Sequence, residues 1–213
     1  MAEDCKQVLD WDSLVFFTRV TTSVTHEIKN ELAVMNEQSH LIQEIIALAK
    51  DNRQPDPLRI ANLIGRVIAR IKRADDSVKR LNTFAHSADE MEKTVDAGMI
   101  LTGMINISQR LASLKGISLV AEPIDQAVNL TTFPFLLEET IFACLEAAMT
   151  AAEKGTTITA GLRQTEERVE FVFKGNYSKT TSVTTSLRAS LLQTLGADLS
   201  SQGHAFVLSV GLK

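Results

Sequence analysis

The first part of the chain carries apolar residues at intervals of three, four and seven positions, the spacing at which a helix buries one stripe of its surface. No glycine occurs before residue 65 and no proline before residue 55, so nothing interrupts a helix from about Asp12 to Lys50. The apolar stripe of this predicted helix consists of Val20, Val24, Ile28, Leu32, Met35, Ile42, Ile45 and Ala49.

A second stripe predicts a second long helix, which runs to about Ser87. It follows a polar break at residues 51–55, after which Asp56 supplies an N-cap and Pro57 the first helical position. Its apolar positions are Leu63, Val67, Ile71, Ala74, Val78, Leu81 and Ala85. Two long helices with a short polar break between them predict a helical hairpin.

Charge is distributed unevenly along the chain, whose formal net charge is −4. Residues 1–49 hold three basic and eight acidic groups, and residues 50–86 hold nine and four, so the two predicted helices attract each other. A hairpin of this length cannot enclose both stripes, so it either pairs with a second copy in a four-helix bundle or packs on the rest of the chain. We expect the homodimer.

Beyond residue 88 the pattern changes to helices that alternate with short strands. Helices are predicted from Asp96 to Leu114, from Pro134 to Lys154 and from Leu187 to Leu195. Strands are predicted at 117–121, 158–162, 169–173 and 205–212, with a Ser/Thr-rich loop at 178–186. The fold class is therefore α+β, with a hairpin domain at 1–88 and an α/β sandwich domain at 89–213.

Composition narrows the setting in which such a protein works. Apolar residues make up 45% of the chain, enough for an ordinary core, and aromatic residues only 5%. Cys5 and Cys144 are far apart and match no metal spacing, so free thiols in a reducing compartment are expected. The acidic start is not a signal peptide and no apolar run reaches membrane length, which predicts a soluble, cytoplasmic protein without a membrane partner.

His26 is the candidate for chemistry on the first helix. It lies two positions from Val24 and two from Ile28, so it faces away from the apolar stripe and toward solvent. A neutral imidazole is a good nucleophile toward phosphorus, and the neighbouring Glu27 can fix its tautomer. Asn30 lies one turn further along the same face, where it can hold a water molecule or a phosphoryl oxygen.

The run His26-Glu27-Ile28-Lys29-Asn30, followed by Glu31-Leu32-Ala33, resembles the H-box of two-component sensor histidine kinases. The order of elements, a hairpin and then an α+β domain, is similar to that family over nearly the whole chain. The resemblance implies that His26 accepts a phosphoryl group, that Glu27 assists, and that Asn30 positions water in phosphatase reactions.

The second domain departs from that family where the family binds ATP. Ala147 stands where the N-box has its magnesium-site asparagine, and Lys174 stands where an aspartate recognises adenine. The stretch 178–186 contains no glycine for a phosphate lid. We therefore expect a degenerate histidine-kinase ATPase-like domain that binds no cofactor.

With these departures, the chain resembles the dimeric histidine phosphotransferases of bacterial phosphorelays. The resemblance implies that His26 relays a phosphoryl group between response-regulator receiver domains, and that the receiver supplies magnesium. We expect the receiver to contact the first helix around Thr22, His26, Lys29 and Asn30.

Three other functions stay open at this point. A phosphatase or sequestering protein would depend on Asn30 rather than on His26. A structural dimer or scaffold would need neither residue, because fold resemblance does not fix function. A kinase with unusual nucleotide contacts is the remaining alternative.

Arginine and histidine side chains outside the H-box are weaker candidates for a site. Arg66, Arg70 and Arg73 lie near one another on the second helix and are interpreted as a solvated face opposite the acidic first helix. The alternative is that this basic face meets an acidic receiver surface, which predicts salt-sensitive docking. Scarce aromatic residues and a net acidic chain argue against a nucleic-acid partner. His40 is predicted to be an exposed surface residue, and no set of His, Cys and acidic residues has metal-ligand spacing.

Overall fold

The computed structural model of the 213-residue chain describes residues 11–48, 55–89, 91–177 and 189–212. Two long helices come first, α1 at Trp11–Leu48 and α2 at Pro57–Ser87. Asp56 caps α2, since its carboxylate accepts a hydrogen bond from the Leu58 N–H at 2.9 Å. The predicted hairpin helices are confirmed, although Lys50 and Ala49 lie outside the described residues.

The chain then forms an α+β layer structure, as the sequence predicts. Its elements are β1 at Lys93–Asp96, α3 at Ala97–Lys115, β2 at Ser118–Ala121, β3 at Asn129–Thr132, α4 at Pro134–Ala151, β4 at Thr157–Gln164, β5 at Arg168–Lys174, α5 at Ala189–Leu195, β6 at Ala197–Gln202 and β7 at Ala205–Gly211. The sheet order is β2-β4-β5-β7-β6, and β1 pairs with β3 in a separate two-stranded sheet. Only the β2–β4 pair of the larger sheet is parallel.

Both ends of α3 are fixed by the residues that the sequence indicates. The Asp96 carboxylate accepts a hydrogen bond from the Gly98 N–H at 2.8 Å, and Gly116 ends the helix with a left-handed backbone at φ 69°. Helix α4 stops at Ala151, three residues before the predicted Lys154. The predicted loop at 178–186 lies outside the described residues.

The core of the larger sheet comes from the alternation of strand side chains. Phe171 and Phe173 of β5 and Phe206 of β7 are fully buried, together with Ile141 and Leu145 of α4. Helix α4 carries buried side chains on nearly its whole circumference, because it lies against α3, α5 and the strands β5 and β7. Burial of aromatic and aliphatic surface of this kind is the main source of stability for such a layer.

The described residues form two compact units. One unit comprises residues 19–83 of the two long helices, and the other combines residues 11–18 with those from 84 onward. In the second unit, an aromatic cluster joins the start of α1 and the end of α2 to α4: the Phe16 ring lies 5.4 Å from Phe84, 5.4 Å from Phe135 and 5.2 Å from Phe142. The domain division at residue 88 stays a prediction.

Candidate functional site

Four of the candidate site residues lie on the outer surface of α1. His26 and Asn30 are exposed, as are Thr22 and Lys29, so the solvent-facing position expected for His26 is observed. No hydrogen bond or ion pair from the described residues engages the His26 ring or the Asn30 amide. The imidazole and the amide are therefore both available to a partner, one helical turn apart.

Glu27 faces α2, where it binds Arg80. The Arg80 Nη2 donates to both carboxylate oxygens, at 3.0 and 3.1 Å, and to Ser77 Oγ at 2.9 Å. Ser77 is fully buried and its own hydroxyl donates to the Arg73 carbonyl. Because the Glu27 carboxylate is turned toward Arg80, it does not hold the tautomer of His26 in this state, and catalytic assistance by Glu27 stays a prediction.

A second ion pair joins the helices one turn further along α1. Arg70 Nη1 donates to Glu31 Oε1 at 3.3 Å and to Oε2 at 3.1 Å, with the Glu31 side chain only 13% exposed. Arg70 therefore lies between the helices, which corrects the interpretation that it shares a solvated face with Arg66 and Arg73. The opposite charges of the two helices meet in these specific pairs.

Each long helix carries a second apolar stripe that stays exposed. On α2 the stripe is Ile64, Ile68, Ile71 and Val78, with side chains 45%, 61%, 53% and 50% exposed. On α1, Leu32 and Ile46 are 54% and 50% exposed. The inward stripe of α2 agrees with the predicted one at Leu63, which is buried, but it also includes the buried Ser77, and the predicted members Ile71 and Val78 are exposed. The 3.5-residue repeat of the outer stripe is typical of a helix–helix contact.

In the second unit, Lys174 occupies the end of β5. Its Nζ donates to Glu122 Oε1 at 2.6 Å, and the two side chains are 44% and 35% exposed. Gly161 of β4 makes room for this pair, because a Cβ atom there would lie 2.1 Å from Glu122 Oε2. The position at which an aspartate would recognise adenine therefore holds a cation that is already paired.

Tyr177 fills the space next to Lys174. Its hydroxyl donates to the Phe173 carbonyl at 3.0 Å, and its ring centroid lies 4.5 Å from that of Phe206. The ring also lies against Gly175, whose missing side chain permits the approach. Burial raises the pKa of the Tyr177 hydroxyl, which keeps it in the neutral, hydrogen-bonding form.

Helix α4 offers no magnesium ligand at the position of the N-box asparagine. Ala147 is half-buried there and has no ligating atom. Cys144, one turn earlier, is a free and fully buried thiol, and burial raises its pKa to about 12. A thiol held neutral in this way packs as a small apolar side chain.

Sequence reasoning missed two adjacent buried carboxyl groups on α4. Glu138 and Glu139 are each 6% exposed. Ser87 Oγ lies 2.5 Å from Glu138 Oε2, and Ser13 Oγ donates to Glu139 Oε2 at 2.8 Å. Burial raises the pKa of Glu138 to about 7. The only sequence signal for these contacts is the pair of acidic residues within an otherwise apolar helix.

No family model matches this sequence, and no curated protein matches it. Among solved structures, the chain is similar to the catalytic domain of histidine kinase ThkA, with 6% identity, a TM-score of 0.48, and coverage of 58% of this chain and 95% of that chain. It is similar to Acinetobacter baumannii histidine kinase AdeS at 10% identity and a TM-score of 0.44, over 83% of this chain and 94% of that chain. It is also similar to histidine kinase ThkA in complex with response regulator protein TrrA. In that comparison the sequence identity is 10% and the TM-score is 0.46, over 94% of this chain and 63% of that chain.

The described residues contain neither a membrane-spanning helix nor a cluster of metal-ligating side chains. Among residues 11–48, 55–89, 91–177 and 189–212, no helix combines the length and the apolar character that crossing a membrane requires. Within the same ranges, no three side chains of His, Cys, Asp or Glu lie close enough together to hold a metal ion.

Proposed function

We propose that the protein is a histidine phosphotransferase of a cytoplasmic two-component phosphorelay, which acts between response-regulator receiver domains without using ATP. The observation that carries the proposal is the exposed His26 imidazole, unengaged by any described residue, within a sequence that resembles the H-box. Asn30 supports it, since its free amide lies one turn away on the same helix.

The proposed reaction needs only two carboxylates and one imidazole. A ring nitrogen of neutral His26 attacks the phosphorus of an aspartyl phosphate on the first receiver, forming an N–P bond as the P–O bond to the carboxyl group breaks. The aspartate leaves as a carboxylate, and the aspartate of the second receiver reverses the step. The receiver brings magnesium for the phosphoryl charge, and the hairpin contributes position.

The flanking residues have distinct parts in this proposal. Thr22 and Lys29 are exposed beside His26 and contact the receiver, while the Asn30 amide donates to a phosphoryl oxygen. The Glu27–Arg80 pair keeps two charged groups at the edge of the site in a fixed geometry. Glu27 returns to the imidazole only if a bound receiver displaces Arg80.

The second unit supports a function that does not use ATP. Lys174 is a cation paired with Glu122, and Tyr177 packs against Phe206 beside it. The Lys174 ammonium has no acceptor atom for an adenine amino group, and the buried Tyr177 hydroxyl is engaged with the Phe173 carbonyl. The proposal therefore assigns the α+β layer a structural part, and the phosphoryl group comes from a receiver.

A second candidate, receiver dephosphorylation, is favoured by the exposed amide of Asn30, which can orient a water molecule for attack on an aspartyl phosphate. In that case the water forms the new P–O bond, inorganic phosphate leaves, and His26 is never phosphorylated. The two reactions differ in where the label goes, so one experiment separates them.

The experiment follows radioactive phosphate from phosphorylated receivers of the same organism to the purified protein. We expect acid-labile label on the wild type and on His40→Gln, an exposed control on the same helix, and none on His26→Gln. Release of phosphate that persists in His26→Gln and is lost in Asn30→Ala would replace the proposal by the phosphatase. If the protein neither takes label from any receiver nor releases phosphate from one, the remaining interpretation is a non-catalytic scaffold.

A further inference from the structure

Four arginines of α2 recur at a spacing of seven residues: Arg59, Arg66, Arg73 and Arg80. Seven residues are close to two helical turns, so these residues follow one side of the helix over roughly 31 Å at 1.5 Å per residue. We call them the arginine row. The side of the hairpin on which the row lies can be read from the contact that Arg80 makes.

Arg80 binds Glu27, so the row lies on the Glu27 side of α1. Glu31 lies about 40° around the helix from Glu27 in one direction and is the more buried of the two, at 13% against 44% exposed. Asn30 and His26 lie about 60° and 100° from Glu27 in the other direction, away from the contact between the helices. The row therefore shares a side of the hairpin with His26 and Asn30.

The two ion pairs also show which residues of α1 lie level with each arginine of the row. Because Arg80 reaches Glu27 and Arg70 reaches Glu31, the intervening Arg73 lies at the level of the α1 turn from 27 to 31. Continuing antiparallel, Arg66 lies near the level of Glu37 and Arg59 near that of Glu44. Arg73 is thus the member of the row that stands opposite the neutral Asn30.

Some charged side chains at this level of the hairpin form ion pairs and one does not. Glu27 and Glu31 are both engaged, by Arg80 and Arg70. Arg73 is exposed, and its guanidinium makes no hydrogen bond or ion pair with any described residue. Asp76, one turn further along α2, forms no ion pair with it either. Helical geometry therefore places a free guanidinium at the level of the two site residues, on the same side of the hairpin.

We infer that Arg73, supported along the row by Arg66, is the electrostatic contact that receives the acidic face of an incoming receiver domain. The inference rests on the proposed function and names the chemistry of its partner. A receiver's transfer site combines an aspartyl phosphate with the carboxylates that hold magnesium, and a guanidinium fork suits carboxylate and phosphate oxygens. Attraction between such faces acts mainly on the rate of association.

The test measures the association rate of a phosphorylated receiver and the kcat/KM of label transfer at increasing salt. We expect Arg73→Gln to slow association at least about threefold at low salt, and Arg66→Gln/Arg73→Gln to slow it further. The difference from wild type should vanish near 1 M salt, where screening acts over about 3 Å. Arg110→Gln, an equal charge change at an exposed site on α3, is the matched control.

Each outcome bears on one of the two claims. Transfer by wild type with unchanged rates and salt slope in Arg73→Gln overturns the inference and leaves the proposed function standing. Salt-dependent receiver binding that is lost in Arg73→Gln, without any transfer of label, supports the inference and removes the proposed function. Binding of a DNA duplex through the row, with no receiver bound, would overturn both.

Discussion

At the scale of single residues, the hydroxyl of Ser87 indicates the protonation state of Glu138. Ser87 Oγ lies 2.7 Å from the Phe84 carbonyl and 2.5 Å from Glu138 Oε2. A hydroxyl carries one hydrogen and cannot donate to both acceptors. The arrangement is satisfied when Glu138 is a neutral acid that donates to Ser87, which in turn donates to Phe84. Burial raises the pKa of Glu138 to about 7 and favours the neutral acid, whereas a hydrogen bond donated by Ser87 to the carboxylate lowers it.

A pH dependence of stability follows from this carboxyl group. Its pKa rises from 4.5 to about 7 on folding, so the folded state binds the proton more tightly than the unfolded state. The stabilisation is complete below pH 4.5 and is lost as the pH rises through about 7, a change on the order of 3 kcal/mol. Urea unfolding at pH 5, 6, 7 and 8 measures it.

Glu138→Gln is the matched variant for this measurement. Its amide can donate to Ser87 Oγ at every pH, so its free energy of unfolding should decline less than that of wild type between about pH 5 and 8. Comparison of the two profiles removes the titration of all other groups. Parallel profiles would show that Glu138 is already ionised in the folded protein.

At the scale of elements, the cap of α3 gives a local test of stability. The Asp96 carboxylate accepts from the Gly98 N–H and satisfies a backbone donor at the start of the helix. Asp96→Ala should lower the free energy of unfolding by about 1 kcal/mol, and Asp96→Asn, which can also cap, should recover most of it. Urea unfolding of the three proteins measures these differences. If both variants lose the same free energy of unfolding, the effect of Asp96 comes from its charge and not from the cap.

The elements that the sequence predicts are those whose signals are local. The helices α1, α2 and α3 have long periodic stripes and clear end signals such as Asp56, Asp96 and Gly116, and their described bounds agree to within two residues. Strands β4, β5 and β7 have buried side chains in near-alternation that stand out in the sequence. A local pattern is enough to assign a helix or a strand where the hydrophobic repeat is long enough to exclude the other type of element.

Three strands escaped prediction, two because they are short and pair with a distant partner, and one because it is a polar edge strand. Strands β1 and β3 have four residues each and pair with each other across 32 residues of intervening chain. Strand β6 carries Asp198, Ser200 and Ser201 and pairs only with β7, at the edge of the sheet. Such short, polar segments have no propensity signal of their own, so tertiary pairing decides them.

The same distinction applies to the candidate site. The exposure of His26 and Asn30 follows from the helical repeat of one segment and could be predicted. The pairing of Glu27 with Arg80 depends on the register between two helices, which the sequence does not specify. The seven-residue spacing of the arginines is visible in the sequence, but its side of the hairpin becomes clear only from that contact.

At the scale of the whole molecule, the exposed apolar stripe on the outer side of the hairpin indicates a protein–protein contact surface. Ile64, Ile68, Ile71 and Val78 expose about half of their side-chain surface or more, in a run with coiled-coil spacing. Contiguous apolar surface of this kind is uncommon on a protein that acts alone. Leu32 and Ile46, two heptads apart on α1, are exposed as well, which suits a second copy of the hairpin in a four-helix bundle.

Substitution at the centre of this stripe tests the homodimer. In a bundle each copy would bury Ile68 against its partner, so Ile68→Glu places a carboxylate in the contact of both copies and should lower dimer affinity at least about tenfold. Leu114→Glu is the control, because Leu114 is equally apolar and 75% exposed but lies on α3. Sedimentation equilibrium at micromolar concentration should show a dimer for wild type and control and a monomer for Ile68→Glu. A dimer that tolerates Ile68→Glu would move the interface elsewhere, and a monomeric wild type would leave the stripe to a different partner.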